Sequence, residues 1–189
     1  MISDYLRGGI SVVIDEPLPR EAERILYESH RVSIRQEEGK ATIIPQEGAT
    51  LDDVISSKRI IEAINAGFPI EDALVLDDKD YLMEEINITD YVNKDKPGRV
   101  ARLKGLIIGE NGKAKRNIEE LTETKINIKG SSIYIIGRFE NAEAARNAID
   151  MLLAGRQHST VYRWLQKWRT EQQRNNVLSE IDEEKYLSL

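Results

Sequence analysis

The chain has 189 residues, 40% hydrophobic and 32% charged, which is enough for one medium domain or two small domains with apolar cores. It contains no cysteine, which excludes a disulfide scaffold, a zinc site built on cysteine and a thiol nucleophile. Nothing near the N-terminus resembles a signal peptide, and no window is apolar enough to span a membrane. The sequence therefore predicts two small domains in a soluble, cytoplasmic protein with no membrane partner.

The net charge of −6 conceals an uneven distribution. Residues 1–93 carry 9 Lys and Arg against 20 Asp and Glu, a net of −11. Residues 94–138 carry 11 against 5, a net of +6, and residues 139–189 carry 7 against 8, a net of −1. A basic segment in an otherwise acidic chain is typical of a local nucleic-acid contact, although charges also cluster by chance on solvated faces.

The first half of the sequence alternates between β-branched runs and helical periodicity. The predicted elements are strands at 11–15, 32–36 and 40–45 and helices at 20–31, 51–66 and 69–76. Two prolines precede the first helix, and the turn at Glu37 to Gly39 joins the last two strands into a hairpin. Gly67 is the predicted C-cap of the second helix.

The second half repeats the pattern. Its predicted elements are strands at 86–92, 125–129 and 132–137 and helices at 99–108, 113–124 and 141–153. Asn141 is the predicted N-cap of the last helix, and Gly130 and Ser131 form a tight turn. The shared order predicts an internal duplication. Only the second half has two helices and a glycine loop between its first two strands, so the first half is predicted to lack that loop.

The C-terminal segment follows these repeats. Val161, Trp164, Leu165 and Trp168 recur at helical spacing, which predicts an amphipathic helix at 157–175. The acidic residues 176–189 are predicted to fray or to bind a partner. The tryptophans could stack on bases or dock a partner, but packing against the second domain is the better explanation. His158 is expected to cap or pack, because it has no companion that suggests a metal or catalytic site.

Residues 102–116 read RLKGLIIGENGKAKR and permit three interpretations. A dinucleotide fingerprint would need its first glycine at Ile107, directly after a strand. A Walker phosphate loop would also need glycine at Ile107, and Ser or Thr at Ala114. Both nucleotide interpretations therefore fail, and a G-x-x-G loop from Gly109 to Gly112 between two helices remains.

The surrounding pattern is more specific than the loop. The sequence resembles the type I KH domain in LKGLIIGENGKAKRNIEELTETKINI followed by SIYIIGRFENAEAARNAI. The resemblance implies an α+β fold with two tandem type I KH-like domains and a C-terminal helix. Each domain would have a three-stranded antiparallel sheet with helices on one face, and the first would lack the GxxG loop. The predicted segments are an arm at 1–9, a degenerate KH-like domain at 10–78, a KH domain at 84–156, a helix at 157–175 and a tail at 176–189.

The chemistry of the loop is consistent with binding to single-stranded RNA. Two glycines allow a close approach to a phosphodiester, and the following helix offers N–H groups and a partial positive charge. Such domains hold about four nucleotides over an apolar groove, for which Ile118 is a further candidate. Glu110 stands where many KH loops carry Lys or Arg, and it is expected to weaken binding without abolishing it. The predicted RNA-binding residues are Arg102, Lys104, Ile107, Ile108, Gly109, Glu110, Asn111, Gly112, Lys113, Lys115, Arg116 and Ile126.

A narrower resemblance adds a role. With two repeats, INITDYV before the second and GRQHSTVYRWLQ after it, the chain is similar to the archaeal ribosome-assembly KH proteins related to the eukaryotic partner-of-Nob factor. The positions that carry this resemblance are Gly155, His158, Ser159, Val161 and Tyr162. It implies binding near the 3′ end of small-subunit ribosomal RNA, beside the trimming endonuclease and with ribosomal or assembly proteins. The acidic first domain would then face proteins or act as a scaffold.

Two other classes of function are considered from the sequence. A protein-interaction adaptor whose KH fold binds RNA weakly or not at all is the alternative, motivated by Glu110, the acidic first half and the C-terminal helix. An enzyme is disfavoured, because the paired carboxylates Asp52–Asp53 and Glu119–Glu120 point in different directions and have no accompanying base. No catalytic residue, metal or cofactor is predicted.

Overall fold

The computed structural model describes residues 9–92 and 98–187. The chain divides into two compact units: residues up to 84 together with 127–130, and residues 85–126 together with those from 131 onwards. Each unit has helices and a three-stranded antiparallel sheet, and the fold is KH-like. The predicted α+β class is therefore confirmed. The predicted N-terminal arm, apart from residue 9, lies outside the described residues.

The first sheet has the order β1-β3-β2, so the third strand in sequence is the central one. Its elements are β1 (Ile10–Val13), α1 (Arg20–His30), β2 (Val32–Glu37), β3 (Lys40–Pro45), α2 (Leu51–Asn65), α3 (Ile70–Ala73) and a 3₁₀ turn at Leu74–Asp77. Ile43 of β3 stands opposite Ile10 on one neighbour and Ile34 on the other. Ile43 is fully buried, as are Leu26 of α1 and Ile61 of α2, so this core lies between the sheet and the two helices.

Helix α2 is fixed at both ends by local signals. The Asp53 backbone N–H donates to Thr50 Oγ1 at 3.1 Å, and the Thr50 backbone N–H donates to Asp53 Oδ2 at 2.6 Å. The Thr50 hydroxyl also donates to this carboxylate, which holds the pKa of Asp53 below its ordinary value. At the other end the C-cap is Ala66, so the C-cap predicted at Gly67 is one residue too late; Gly67 follows it with a φ of 92°, where a side chain would be strained.

A buried histidine links α1 to the 3₁₀ turn of this unit. His30 is 4% exposed, and its Nε2 lies 2.8 Å from Asp77 Oδ1, while its Nδ1 lies 2.6 Å from Ser29 Oγ. The hydrogen bond from His30 is the main cause that lowers the pKa of the Asp77 carboxyl, and Ser56 contributes in the same direction. The charged carboxylate therefore stabilises this end of the unit.

The second sheet has the order β4-β6-β5. The elements of the second half of the chain are β4 (Tyr81–Asn87), a 3₁₀ turn at Ile88–Tyr91, α4 (Arg99–Ile108), α5 (Lys113–Thr122), β5 (Lys125–Lys129), β6 (Ser132–Arg138), α6 (Phe139–Leu153) and α7 (His158–Leu187). Ile133 and Ile135 of β6 and Ile149 of α6 are fully buried. Helix α7 packs against α5 and α6 through Val161 and Leu165, which are also fully buried.

Two sequence predictions for this unit are wrong, and a third is too short. The strand predicted at 86–92 runs from Tyr81 to Asn87, because the Asn87 carboxamide accepts the Thr89 N–H at 3.0 Å and turns the chain into a 3₁₀ segment. Helix α6 begins at Phe139 with Arg138 as its N-cap, so Asn141 lies inside the first turn. Helix α7 continues twelve residues beyond the predicted end at 175. No helix among the described residues is long and apolar enough to cross a membrane.

Candidate nucleic-acid interface

The GxxG loop joins α4 to α5 through an unusual backbone path. Gly109 has φ 71° and ψ 179°, a combination that is essentially restricted to glycine. Asn111 follows in the left-handed region at φ 51° and ψ 29°, and Gly112 is left-handed at φ 76° and ψ 11°. The Gly109 N–H donates to the Gly105 carbonyl at 2.8 Å, and the Gly112 N–H donates to the Gly109 carbonyl at 3.3 Å. The loop is thus a compact turn held by its own backbone.

The two glycines of the loop serve different purposes. A Cβ on Gly109 would lie 2.6 Å from the Ala114 Cβ and 2.8 Å from the Ala114 backbone nitrogen. A Cβ on Gly112 would approach only the end of the flexible Arg116 side chain, at 3.1 Å. Gly109 is therefore required both for its backbone conformation and for packing against the first turn of α5, whereas Gly112 is required for its positive φ alone. Gly105, the third glycine of the stretch, sits in α4 with open space around it.

The cations near the loop are not equally available. Arg102, Lys113 and Arg116 are exposed, and Lys104 is partly exposed. Lys115 forms an ion pair with Glu119 one helical turn away, at 3.0 Å, and the same carboxylate accepts the Ile126 backbone N–H at 2.8 Å. Lys115 is thus partly neutralised within the protein. A Lys and a Glu four residues apart on a helix lie on the same face, so the sequence contained the signal that predicts this ion pair.

Of the isoleucines predicted to line a groove, three lie in the core. Ile107 and Ile118 are fully buried and Ile126 is 2% exposed, so these side chains support the fold. Ile108 is 38% exposed at the end of α4 and remains able to contact a base. Glu110 and Asn111 are both exposed at the tip of the loop. The structure thus places the loop, its flanking cations and one isoleucine on the surface of one unit.

The last turn of α4 is held from outside by the start of α7. His158 Nε2 lies 2.8 Å from the Leu106 carbonyl oxygen, three residues before Gly109. Carbonyls at a helix end have no partner in their own helix, so the His158 N–H supplies one. The sequence indicated capping or packing for His158 but gave no sign that its partner is the helix leading into the loop.

The remaining candidates are engaged in the fold. Trp164 and Trp168 are half-buried on α7. The Glu119 carboxylate holds Lys115 and a backbone N–H, as described above. Asp52 pairs with Lys79 at 2.7 Å. The described residues contain no group of three or more His, Asp or Glu side chains that could hold a metal ion.

Comparisons with known proteins identify the kind of domain that contains this site. Residues 83–170 match the model for the second KH domain of PNO1, a eukaryotic-type KH domain of type I. The chain is 38% identical over 103 residues to the pre-rRNA-processing protein PNO1 of Chaetomium thermophilum, which covers 54% of this chain and 40% of that protein. The chain spans half or less of the length of the curated relatives it matches.

Two solved structures are similar over nearly the whole chain. A protein of unknown function from Aeropyrum pernix is 34% identical with a TM-score of 0.83, covering 92% of this chain and 97% of that one. Dim2p from Pyrococcus horikoshii is 26% identical with a TM-score of 0.72, covering 84% and 98%. Residues 83–170, which include the helix-loop-helix, the second sheet and the start of the C-terminal helix, therefore form a KH domain of the PNO1 type.

Proposed function

We propose that the chain binds single-stranded RNA through its GxxG loop and acts in assembly of the small ribosomal subunit, in maturation of the 3′ end of its RNA. The observation that carries this proposal is the backbone of the loop. Gly109 and Gly112, both partly exposed, let the main chain turn tightly between two helices, and exposed Lys113 and Arg116 flank it on α5. A phosphodiester can therefore meet backbone N–H groups, a helix N-terminus and cations in one place.

The names of the relatives support ribosomal RNA as the ligand. The Chaetomium protein is named for pre-rRNA processing, and its Caenorhabditis counterparts are named as RNA-binding proteins. The partners proposed here are the 3′ region of small-subunit ribosomal RNA, the endonuclease that trims it, and ribosomal or assembly proteins. The role is non-enzymatic and cytoplasmic, and the first unit is proposed to be a degenerate KH domain.

The test changes the loop without disturbing its packing. Gly112→Asp adds a negative charge at the phosphate position, and its side chain meets only the flexible Arg116. Aspartate tolerates the left-handed region, so the fold is retained. Gly39→Asp is the matched control, because Gly39 has nearly the same φ, 75° against 76°, has open space around it and lies in the hairpin of the first unit.

The readout is the affinity for a single-stranded RNA from the 3′ end of small-subunit ribosomal RNA. Gly112→Asp is expected to abolish binding while circular dichroism stays unchanged, and Gly39→Asp is expected to bind as the unsubstituted chain does. The logarithm of affinity should fall with the logarithm of salt at a slope of about −2 to −3, as for three or four phosphates. Equal affinity of the two variants would refute the proposal.

A protein-interaction adaptor remains the second candidate, and it rests on two observations. Glu110 is exposed inside the loop, and Lys115 is paired with Glu119, so the loop is less basic than its sequence suggests. Residues 1–93 carry a net charge of −11, which favours basic protein partners. Capture of the endonuclease or a ribosomal protein that survives both ribonuclease and Gly112→Asp would favour the adaptor.

A further inference from the structure

The outward face of α7 carries a row of cations. Arg163, Lys167 and Arg174 recur at spacings of four and seven residues, which brings them within about 40° of one another around the helix. All three side chains are exposed, whereas Val161 and Leu165 on the opposite face are fully buried. We call Arg163, Lys167 and Arg174 the α7 row.

The charge of the α7 row is largely uncompensated. Arg163 and Arg174 form no ion pair with any residue whose side chain the structure describes, namely those up to 175 and Val177 in this helix. Lys167 lies 3.7 Å from Glu171, but the two side chains are 77% and 59% exposed, so this pair is weak. Residues 158–178 of α7 contain four Lys and Arg against the single acid Glu171, a net of +3, whereas residues 179–187 at its end carry four acids and one lysine. The row is thus a concentrated positive surface.

The α7 row is held in a fixed position relative to the GxxG loop, because both belong to the second unit. His158 at the start of α7 bonds to Leu106, three residues before the loop. Further along, Arg169 donates to the Glu120 carbonyl at 3.2 Å, and it lies 3.7 Å from the Glu123 carboxylate. Glu120 lies in the last turn of α5, at the end far from the loop, and Glu123 directly follows that helix. Helix α7 is thus bonded to both α4 and α5, the two helices that frame the GxxG loop.

We propose that the α7 row binds phosphates of the RNA that flank the nucleotides held by the loop; this inference rests on the proposed function. Arg163 and Arg174 are eleven residues apart, which is about 16 Å along the helix and enough for several phosphates. An RNA strand held at the loop extends beyond it while still attached to the same unit. Its contact with the α7 row is therefore intramolecular and does not require a second association from solution. An acidic peptide is the competing occupant.

The experiment uses the full chain with Arg163→Gln, Lys167→Gln and Arg174→Gln combined. The matched control combines Arg20→Gln, Arg24→Gln and Lys40→Gln, three exposed cations of the first unit, so both proteins have the same net charge. Fluorescence anisotropy measures binding of each to single-stranded RNAs of about five and about twenty nucleotides over a range of salt concentrations, since the loop alone covers about four.

The α7 variant should bind the short RNA as the unsubstituted chain does. Each phosphate contact contributes about 0.7 to the slope of log affinity against log salt, so the loss of three contacts should reduce the magnitude of this slope by about 2 on the long RNA. The affinity for the long RNA should then fall about fifty-fold near 0.15 M salt. The control should leave both values unchanged. The same variants are also tested for binding to polyglutamate, as a probe for an acidic peptide. An unchanged slope on the long RNA overturns the inference, as does a loss that appears only with polyglutamate. A failure of the proposed function would be seen in a different measurement: the Gly112→Asp variant would bind the short RNA as tightly as the unsubstituted chain does.

Discussion

The different roles of the loop glycines can be tested by replacing each with alanine. Gly109→Ala places a Cβ 2.6 Å from the Ala114 Cβ, in a backbone region that is essentially closed to side chains. Backbone strain of about 1–3 kcal/mol and overpacking of a similar size together predict a loss of about 3–4 kcal/mol of unfolding free energy. Gly112→Ala meets only the flexible Arg116 and should lose about 1–2 kcal/mol, for its left-handed φ alone.

Gly105→Ala is the internal control for this series. Gly105 lies within α4 with open space around it, so alanine there should stabilise the unit by about 0.5–1 kcal/mol. The assay is urea unfolding followed by tryptophan fluorescence. Both tryptophans of the chain, Trp164 and Trp168, are on α7, so the signal reports the second unit. Equal losses for Gly109→Ala and Gly112→Ala would refute the packing argument.

Three further predictions concern single side chains. Glu110→Lys should raise the salt slope of RNA binding by about 0.7 and tighten binding about four-fold near 0.15 M salt, as anisotropy would show, with Glu38→Lys in the first unit as control. His158→Ala should lower the unfolding free energy of the second unit by about 1 kcal/mol through loss of its bond to Leu106, with Ser159→Ala neutral in the same fluorescence assay. Since the folded-state pKa of Asp77 lies below the unfolded value of 3.8, its contribution is complete above about pH 5 and is lost as the pH falls through 3.8 and below. Asp77→Asn should therefore flatten the acid limb of urea stability measured by circular dichroism, and an unaltered limb would contradict the assignment.

Most elements of the fold were predictable because local signals agreed with the tertiary structure. The strand predicted at 86–92 is an exception, because local signals and tertiary structure disagree there. INITDYV alternates like a strand, but Asn87 uses its side chain to turn the backbone, and Tyr81–Asn87 forms the strand despite two glutamates. Strand propensity is overridden there by pairing with β6, which no local pattern reveals.

The candidate site was predictable in its backbone and less so in its side chains. The spacing of Gly109 and Gly112 indicated the turn that the structure contains. Burial was the missing quantity for the isoleucines, because a helix shows which residues share a face but not how deeply a neighbour covers them. Ile107 and Ile108 are adjacent in sequence, yet one is fully buried and the other 38% exposed. The bond from His158 to Leu106 joins residues 52 positions apart, beyond any local pattern.

We expect RNA to contact this chain at the GxxG loop of the second unit. Ultraviolet crosslinking of the protein to RNA in cells, followed by mass spectrometry of the attached peptides and sequencing of the RNA, tests it most directly. We expect crosslinks within residues 99–116, carried by RNA from the 3′ region of the small ribosomal subunit. Crosslinks confined to residues 9–84, or none to ribosomal RNA, would contradict it.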